Sequence, residues 1–144
     1  MKKPDAHYRS RYKYFSSVPT RWMDNDIYGH VNNVVYLSYF DTAINSFLIK
    51  EGNFDINLGN EIGVCVESHC NYFKPIKFPE TISVGLRVEN LSLRSVKYEI
   101  GLFSCNDENT AAQGWFIHVF VCRNNMKPVK IPDHIKQALI KIKI

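Results

Sequence analysis

From Asn33 to about Glu51 the chain carries apolar side chains round most of a helix's circumference, and this run limits the folds open to it. Ser38, Asp41, Thr42, Asn45 and Ser46 recur at i, i+3, i+4, i+7 and i+8 and make one polar stripe. Val35, Tyr36, Leu37, Tyr39, Phe40, Ala43, Ile44, Phe47 and Leu48 fill most of the rest. A helix this apolar has to be wrapped rather than laid on a surface, and a curved sheet is the natural wrapper. Asn32 is a suitable N-cap, and Gly52-Asn53 supplies the stop signal.

The flanking segments supply the strands. Tyr8 to Met23 reads as extended, with Tyr8, Tyr12 and Tyr14 on one side and Arg9, Arg11 and Lys13 on the other; Pro19 points to an edge position or a bulge. Residues 54–60 are rich in turn formers. Ile62 to Phe73, Thr81 to Asn90, Ser95 to Cys105 and Ala111 to Arg123 then follow as strands, the last two joined by the turn Asn106-Asp107-Glu108-Asn109. Their regular spacing predicts an antiparallel meander, and Pro132 opens a short helix reaching about Lys143. The expected fold class is α+β, one antiparallel sheet curled round one long helix within a single domain over residues 1–144. Such a sheet keeps open edges, which predicts a homo-oligomer.

Composition excludes little but is consistent with this reading. A net charge of +4 is too mild to indicate nucleic acid and suits an anionic small ligand. The basic-aromatic alternation near the N-terminus has no second copy, so an outer amphipathic strand explains it better than a single-strand nucleic-acid grip. Cys65, Cys70, Cys105 and Cys122 form no C-x-x-C pair and no zinc spacing with His7, His69, His118 or His134, so four thiols in a reducing compartment are expected. With no apolar run of about 18 residues and no leader-like start, no membrane insertion and a cytoplasmic location are expected.

Between the first strand and the helix lies Asp24-Asn25-Asp26-Ile27-Tyr28-Gly29-His30-Val31-Asn32-Asn33. An acid held beside the open amides of a helix start can activate a nucleophile while the helix end accepts charge developing on a carbonyl oxygen. The pattern Arg21-Trp22-x-Asp24-x-Asp26-x-x-Gly29-His30-Val31-Asn32-Asn33-x-x-Tyr36 resembles the signature of hotdog-fold acyl-CoA thioesterases of the 4-hydroxybenzoyl-CoA thioesterase-like family. The resemblance continues through Tyr72-Phe73-Lys74-Pro75-Ile76 and Leu91-Ser92-Leu93-Arg94-Ser95. It ends with His118-Val119-Phe120-Val121 and Pro128-Val129-Lys130-Ile131-Pro132, so it spans nearly the whole chain in order.

The resemblance implies a hotdog fold, an antiparallel sheet wrapped around one central helix. It also implies hydrolysis of an acyl-CoA thioester to a free acid and CoA, with no metal or redox cofactor. It carries the catalytic carboxylate to Asp26, acting as general base or as nucleophile, and the carbonyl-polarising amide to the neighbourhood of Asn33. Taken alone, Asp26 fits an Asx-turn or helix-cap acid equally well. Asp24 reads as a structural partner of Arg21, and Gly29 as turn chemistry.

His30 matches a catalytic position of the related plant acyl-carrier-protein thioesterases, but Tyr28 stands where those carry Asn; His30 therefore serves either the substrate or the turn. Glu67 is the counterpart of their later acid or an ordinary strand residue. Arg94, Ser95 and Lys97 match a segment that in relatives grips the nucleotide and phosphates of CoA, sometimes from a neighbouring subunit. Tyr36, Phe40 and Phe73 line an acyl tunnel or form plain core. The family context implies a homodimer or homotetramer. The other readings are an acyl-carrier-protein thioesterase and a non-catalytic acyl-thioester-binding module; the Asp and His pattern of hotdog hydratases is missing.

Overall fold

The central helix forms where the apolar pattern requires it. In the computed structural model, which describes residues 2–144, α1 spans Tyr36–Lys50 and is entered through a 3-10 turn at Asn33–Val35. Asn32 precedes that turn with extended backbone, and its side-chain oxygen accepts the Val34 N–H at 3.2 Å. At the other end the N–H groups of Gly52 and Phe54 both donate to Leu48 O at 3.0 Å. There Asn53, not Gly52, takes the left-handed conformation (φ 52°). Tyr39, Phe40, Ala43, Ile44, Phe47 and Leu48 are buried, whereas Ser38, Asp41 and Thr42 stay exposed, so the polar stripe is the outward face.

Five strands wrap the apolar side: β1 (Tyr14–Pro19), β2 (Glu61–Tyr72), β3 (Thr81–Leu91), β4 (Ser95–Ser104) and β5 (Ala112–Cys122). All pairs are antiparallel, in the order β1-β3-β4-β5-β2, and Pro19 sits on edge strand β1. An antiparallel sheet round one long helix is the hotdog arrangement. Val84, Leu86, Tyr98, Ile100 and Phe116 face α1 from the concave side. The short helix α2 (Asp133–Lys141) adds Ile135, Ala138 and Leu139 to the same core, ending two residues before the expected Lys143. No helix among the described residues is long and apolar enough to cross a membrane.

Two expectations are corrected. Only β3, β4 and β5 form a meander; β2 pairs with β5 at the far edge and not with β3. Residues 73–80 carry the chain back over three strand spacings, roughly 14 Å, well within the reach of eight residues. Buried Ile76 anchors that crossover by accepting the Val31 N–H at 2.7 Å. Periodicity reports which residues form a strand but not which strand lies beside it.

The second correction concerns Tyr8–Met23, which is strand only over Tyr14–Pro19: Trp22–Asp24 forms one 3-10 turn, and Arg9–Arg11 forms another. The Arg9–Arg11 turn breaks the tyrosine row, leaving Tyr8 exposed and burying Tyr12 against the convex face of the sheet over Gly85 and Gly101. Arg11 and Arg87 both bond Glu99 beneath this strap, and His7 Nδ1 lies 2.9 Å from the Tyr12 hydroxyl.

The two ends of the sheet carry different features. Tyr72 at one end donates its hydroxyl to Asn33 O at 3.1 Å, beside Ala112 and Leu102. The turn Ser92–Arg94 lies at the other end, next to Ser95 and Val119. The seven residue-to-residue steps of β4 from Ser95 to Leu102 separate these ends by roughly 23 Å.

Candidate active site

The loop between β1 and α1 is a miniature hairpin. The Asn32 N–H donates to Asp24 O at 2.8 Å, Asn25 and Val31 form an isolated antiparallel bridge, and the Asp26 N–H donates to His30 O at 2.8 Å. The tip closes when the Gly29 N–H donates to Asp26 O at 3.1 Å, with Gly29 at φ 83°, a conformation that side chains disfavour. Two further bonds tie the hairpin to the 73–80 crossover: Val31 N–H to Ile76 O, and Phe78 N–H to the Asn25 side-chain oxygen at 3.1 Å.

Asp26 is half-buried at the end of the stem. Its Oδ1 accepts the Tyr28 N–H at 2.8 Å, the Asx turn foreseen for it, while Oδ2 accepts no hydrogen bond from the described residues. The carboxylate borders an open cavity of about 490 Å³ lined also by Trp22, Met23, Asn25, Ile27 and Gly29. Asn33 begins the helical segment just outside the lining of that cavity, and its N–H finds no acceptor among the described residues. The first amide of a helix has no carbonyl one turn back, and the Asn32 side chain reaches the next one, Val34. A carboxylate oxygen and a helix-start amide are thus both unspent on one loop.

Asp24, two residues earlier, is spent completely. It is 1% exposed; Oδ2 accepts the Tyr39 hydroxyl at 2.7 Å and the Arg21 N–H at 2.9 Å, and Oδ1 accepts Arg21 Nε at 3.1 Å. Burial pushes its pKa up, but the hydrogen bonds from Tyr39 and Arg21 outweigh this and hold the carboxyl below its ordinary range. Burial, and then the Asp24 carboxylate, push the Tyr39 phenol well above its ordinary value.

A family model for the thioesterase-like superfamily matches residues 18–139, which contain the whole loop, α1, the end of β1 and all of β2 to β5. The chain belongs to this superfamily. It is similar to the PA5185 protein from Pseudomonas aeruginosa strain PAO1, with 47% identity and a TM-score of 0.95 over 96% of this chain and 97% of that one. The PA2801 protein from Pseudomonas aeruginosa, described as a candidate thioesterase, is 31% identical, with a TM-score of 0.80 over 87% of this chain and 96% of that one. Slr0204, a 1,4-dihydroxy-2-naphthoyl-CoA thioesterase from Synechocystis, is 17% identical with a TM-score of 0.78 (88% and 95% covered), a likeness of fold alone. Membership supports thioester hydrolysis as the class of reaction.

Against this thioesterase-like frame, the other sequence candidates fall in three places. His30 lies across the stem from Asp26, and its side chain is exposed with no hydrogen-bond partner among the described residues. Tyr36 and Phe40 are core: Tyr36 packs edge-on against Tyr72 at 4.9 Å and Phe40 is fully buried. Phe73 is half-buried under Lys3, and none of these three rings lines the cavity beside Asp26.

Glu67 and Lys97 meet on the convex face around Trp115. Glu67 accepts the Trp115 Nε1–H at 3.0 Å; Lys97 lies 4.8 Å over the same ring and pairs with Glu89 at 2.9 Å. Arg94 is exposed and makes no ion pair among the described residues, while the Ser95 hydroxyl lies 2.6 Å from that of Ser92. Arg94 and Ser95 occupy the sheet end remote from Asp26, so one protomer does not bring them together.

Sequence reasoning missed the apolar rim of the site. Trp22, Met23, Ile27 and Tyr28 are 77%, 72%, 93% and 79% exposed around Asp26. Four large apolar residues inside a loop otherwise rich in turn formers were the available signal. It also missed Tyr39, whose hydroxyl on a buried helix face had to find a partner.

Proposed function

We propose that the protein hydrolyses an acyl-CoA thioester to a carboxylic acid and CoA at the cavity beside Asp26. The observation that carries this reading is the free Asp26 Oδ2 on the same loop as the unsatisfied Asn33 N–H. In the general-base route Asp26 takes a proton from water, whose oxygen attacks the thioester carbon. The carbonyl oxygen becomes an oxyanion that accepts a hydrogen bond from the Asn33 N–H. Collapse breaks the carbon–sulfur bond, and the proton leaves with the thiol. In the nucleophilic route Asp26 attacks directly, expels the thiolate and forms an acyl anhydride that water then opens. His30 hydrogen-bonds near the substrate, and the rim of Trp22, Met23 and Ile27 receives the acyl group.

The carrier end is assembled from two copies. The outward edge of β2 is unpaired in one protomer, and a bulge between Cys65 and Glu67 lies near its middle. Antiparallel pairing of two β2 edges about a twofold axis near that bulge would set the partner's far sheet end alongside this protomer's helix start. Arg94 and Ser95 of one subunit then serve the CoA phosphates at the other subunit's Asp26, Arg94 with its planar fork. Lys97 joins them on release from Glu89. The working unit is a homodimer or a tetramer built from dimers.

The test is thiol release from a panel of acyl-CoAs and acyl-carrier-protein thioesters, with Asp26→Asn beside the parent. Turnover of CoA esters that falls by about 10³-fold or more in the variant supports the reading. Turnover confined to protein-bound esters moves the carrier to acyl carrier protein. Tight binding of acyl-CoA with no turnover by the parent makes the protein a binding module instead.

A further inference from the structure

We infer that Asp24 and Tyr39 form a positioning pair that fixes the distance between the Asp26 carboxylate and the Asn33 amide; this rests on the reading of the site given above. Three segments meet at Asp24. Its side chain accepts from Tyr39, in the first turn of α1, and from the Arg21 backbone and guanidinium; its own N–H donates to Arg21 O at 2.9 Å. Its carbonyl accepts the Asn32 N–H at 2.8 Å. Asp26 lies two residues beyond Asp24, and Asn33 one residue beyond Asn32. The group that attacks and the group that stabilises the oxyanion therefore hang from the two sides of one clamp, and that clamp is bolted to the helix by a single phenol.

Energetics favour a positional role over a stabilising one. The bonds from Tyr39 and Arg21 outweigh the hydration that this carboxylate, 1% exposed, has lost, but a well-packed apolar pair of the same volume is commonly as stable as a buried ionic one. An apolar residue facing Phe at position 39 would fill the same space. What the ionic arrangement adds is direction: four donors from two residues converge on two oxygens, so the loop stem has one seat on α1. Tyr39 is 3% exposed and Asp24 is not among the residues lining the cavity, so both act through Asp26 and Asn33.

The experiment compares kcat and KM of the parent, Tyr39→Phe, Asp24→Asn, Asp24→Ala and Asp26→Asn on one acyl-CoA, per folded molecule as counted by circular dichroism and thermal melting. Tyr39→Phe removes one oxygen and keeps the packing. Its kcat is expected to fall about 10- to 100-fold, as for a sub-ångström misplacement, with KM changed less than about twofold. Asp24→Asn, which keeps an oxygen for Tyr39, is expected to retain more kcat than Asp24→Ala; if Asp24→Ala does not fold, Tyr39→Phe decides alone. An inactive Asp26→Asn beside a folded Tyr39→Phe of parental kcat overturns the positioning role and leaves the site reading standing. A change in KM alone also overturns it. Parental turnover by Asp26→Asn overturns the site reading, and the pair with it.

Discussion

Gly63 on β2 leaves the space that the His118 imidazole on β5 occupies: a Cβ at position 63 would lie 2.8 Å from Nδ1 and 3.1 Å from Cγ. The imidazole cannot step aside, because Tyr98, Phe116 and Phe120 meet it edge-on with centroids 5.4, 5.2 and 6.3 Å away. Gly63→Ala is therefore expected to cost about 1–3 kcal/mol of stability, through overpacking rather than lost hydrophobic area. Urea unfolding of the two proteins at neutral pH measures it, and an unchanged midpoint would sink the idea.

His118 also predicts how stability depends on acidity. Burial pushes its pKa down from 6.5 to about 4, and its polar neighbour is the Tyr98 hydroxyl at 3.4 Å. The folded state thus resists a proton that the unfolded chain accepts below 6.5. The neutral ring costs nothing above that pH; as pH falls from 6.5 to about 4 the unfolded state gains, by up to about 3 kcal/mol. His118→Leu should flatten this part of the stability profile. Asp24 and Glu99, whose folded pKa values lie below their ordinary values of 3.8 and 4.5, lose their stabilising charge only as pH falls through and below those values, so the two effects separate above about pH 4.5. Identical slopes for parent and His118→Leu between pH 6.5 and 4.5 would refute the assignment.

The Asn33 amide can be removed without removing the helix. Proline is accepted at a helix start, and Asn32 already holds the extended backbone (φ −60°, ψ 137°) that a following proline requires. Asn33→Pro should keep the melting temperature within a few degrees and lower kcat about 10²- to 10³-fold, the usual loss for an oxyanion donor. Asn33→Ala, which retains the N–H, should stay near parental kcat. Equal activity of the proline and alanine variants would remove this amide from the chemistry.

On the convex face, a Cβ added at Gly101 would lie 2.6 Å from the Tyr12 ring. Gly101→Ala should lift Tyr12 and loosen the segment before it, where Arg9 is held by Asp107 O at 2.6 Å and sits 4.7 Å over the Phe103 ring. Limited proteolysis would then cut within residues 5–13 at a trypsin concentration that spares the parent. The same pattern of cutting in both proteins would count against the strap.

How much of this was legible beforehand follows from the range of the interactions. The polar stripe of α1, its Asn32 cap, the Asp24–Arg21 pair and the Gly29 turn depend on residues within a few positions of one another, and each could be read directly. The place of β2 beside β5, the strap under which Glu99 takes two arginines, and the attachment of Tyr39 to Asp24 depend on partners far apart in sequence or on the side of a helix that faces inward. Lys97 shows the limit well. Its position beside Arg94 suggested a phosphate grip, but not that strand alternation turns it to the convex face, where Glu89 and Trp115 hold it and from which the proposed grip must first release it.

The sheet is long enough to keep Asp26 and Arg94 of one chain at opposite ends, and this has a genetic reading. If a single substrate needs both, Asp26→Asn and Arg94→Glu damage different halves of a shared site. Each preparation should be nearly inactive on acyl-CoA alone. Unfolded together and refolded as a mixture, they should recover about a quarter of parental turnover, because half the pairs are mixed and each mixed pair owns one undamaged site. A mixture no better than its parts would mean that every chain works by itself.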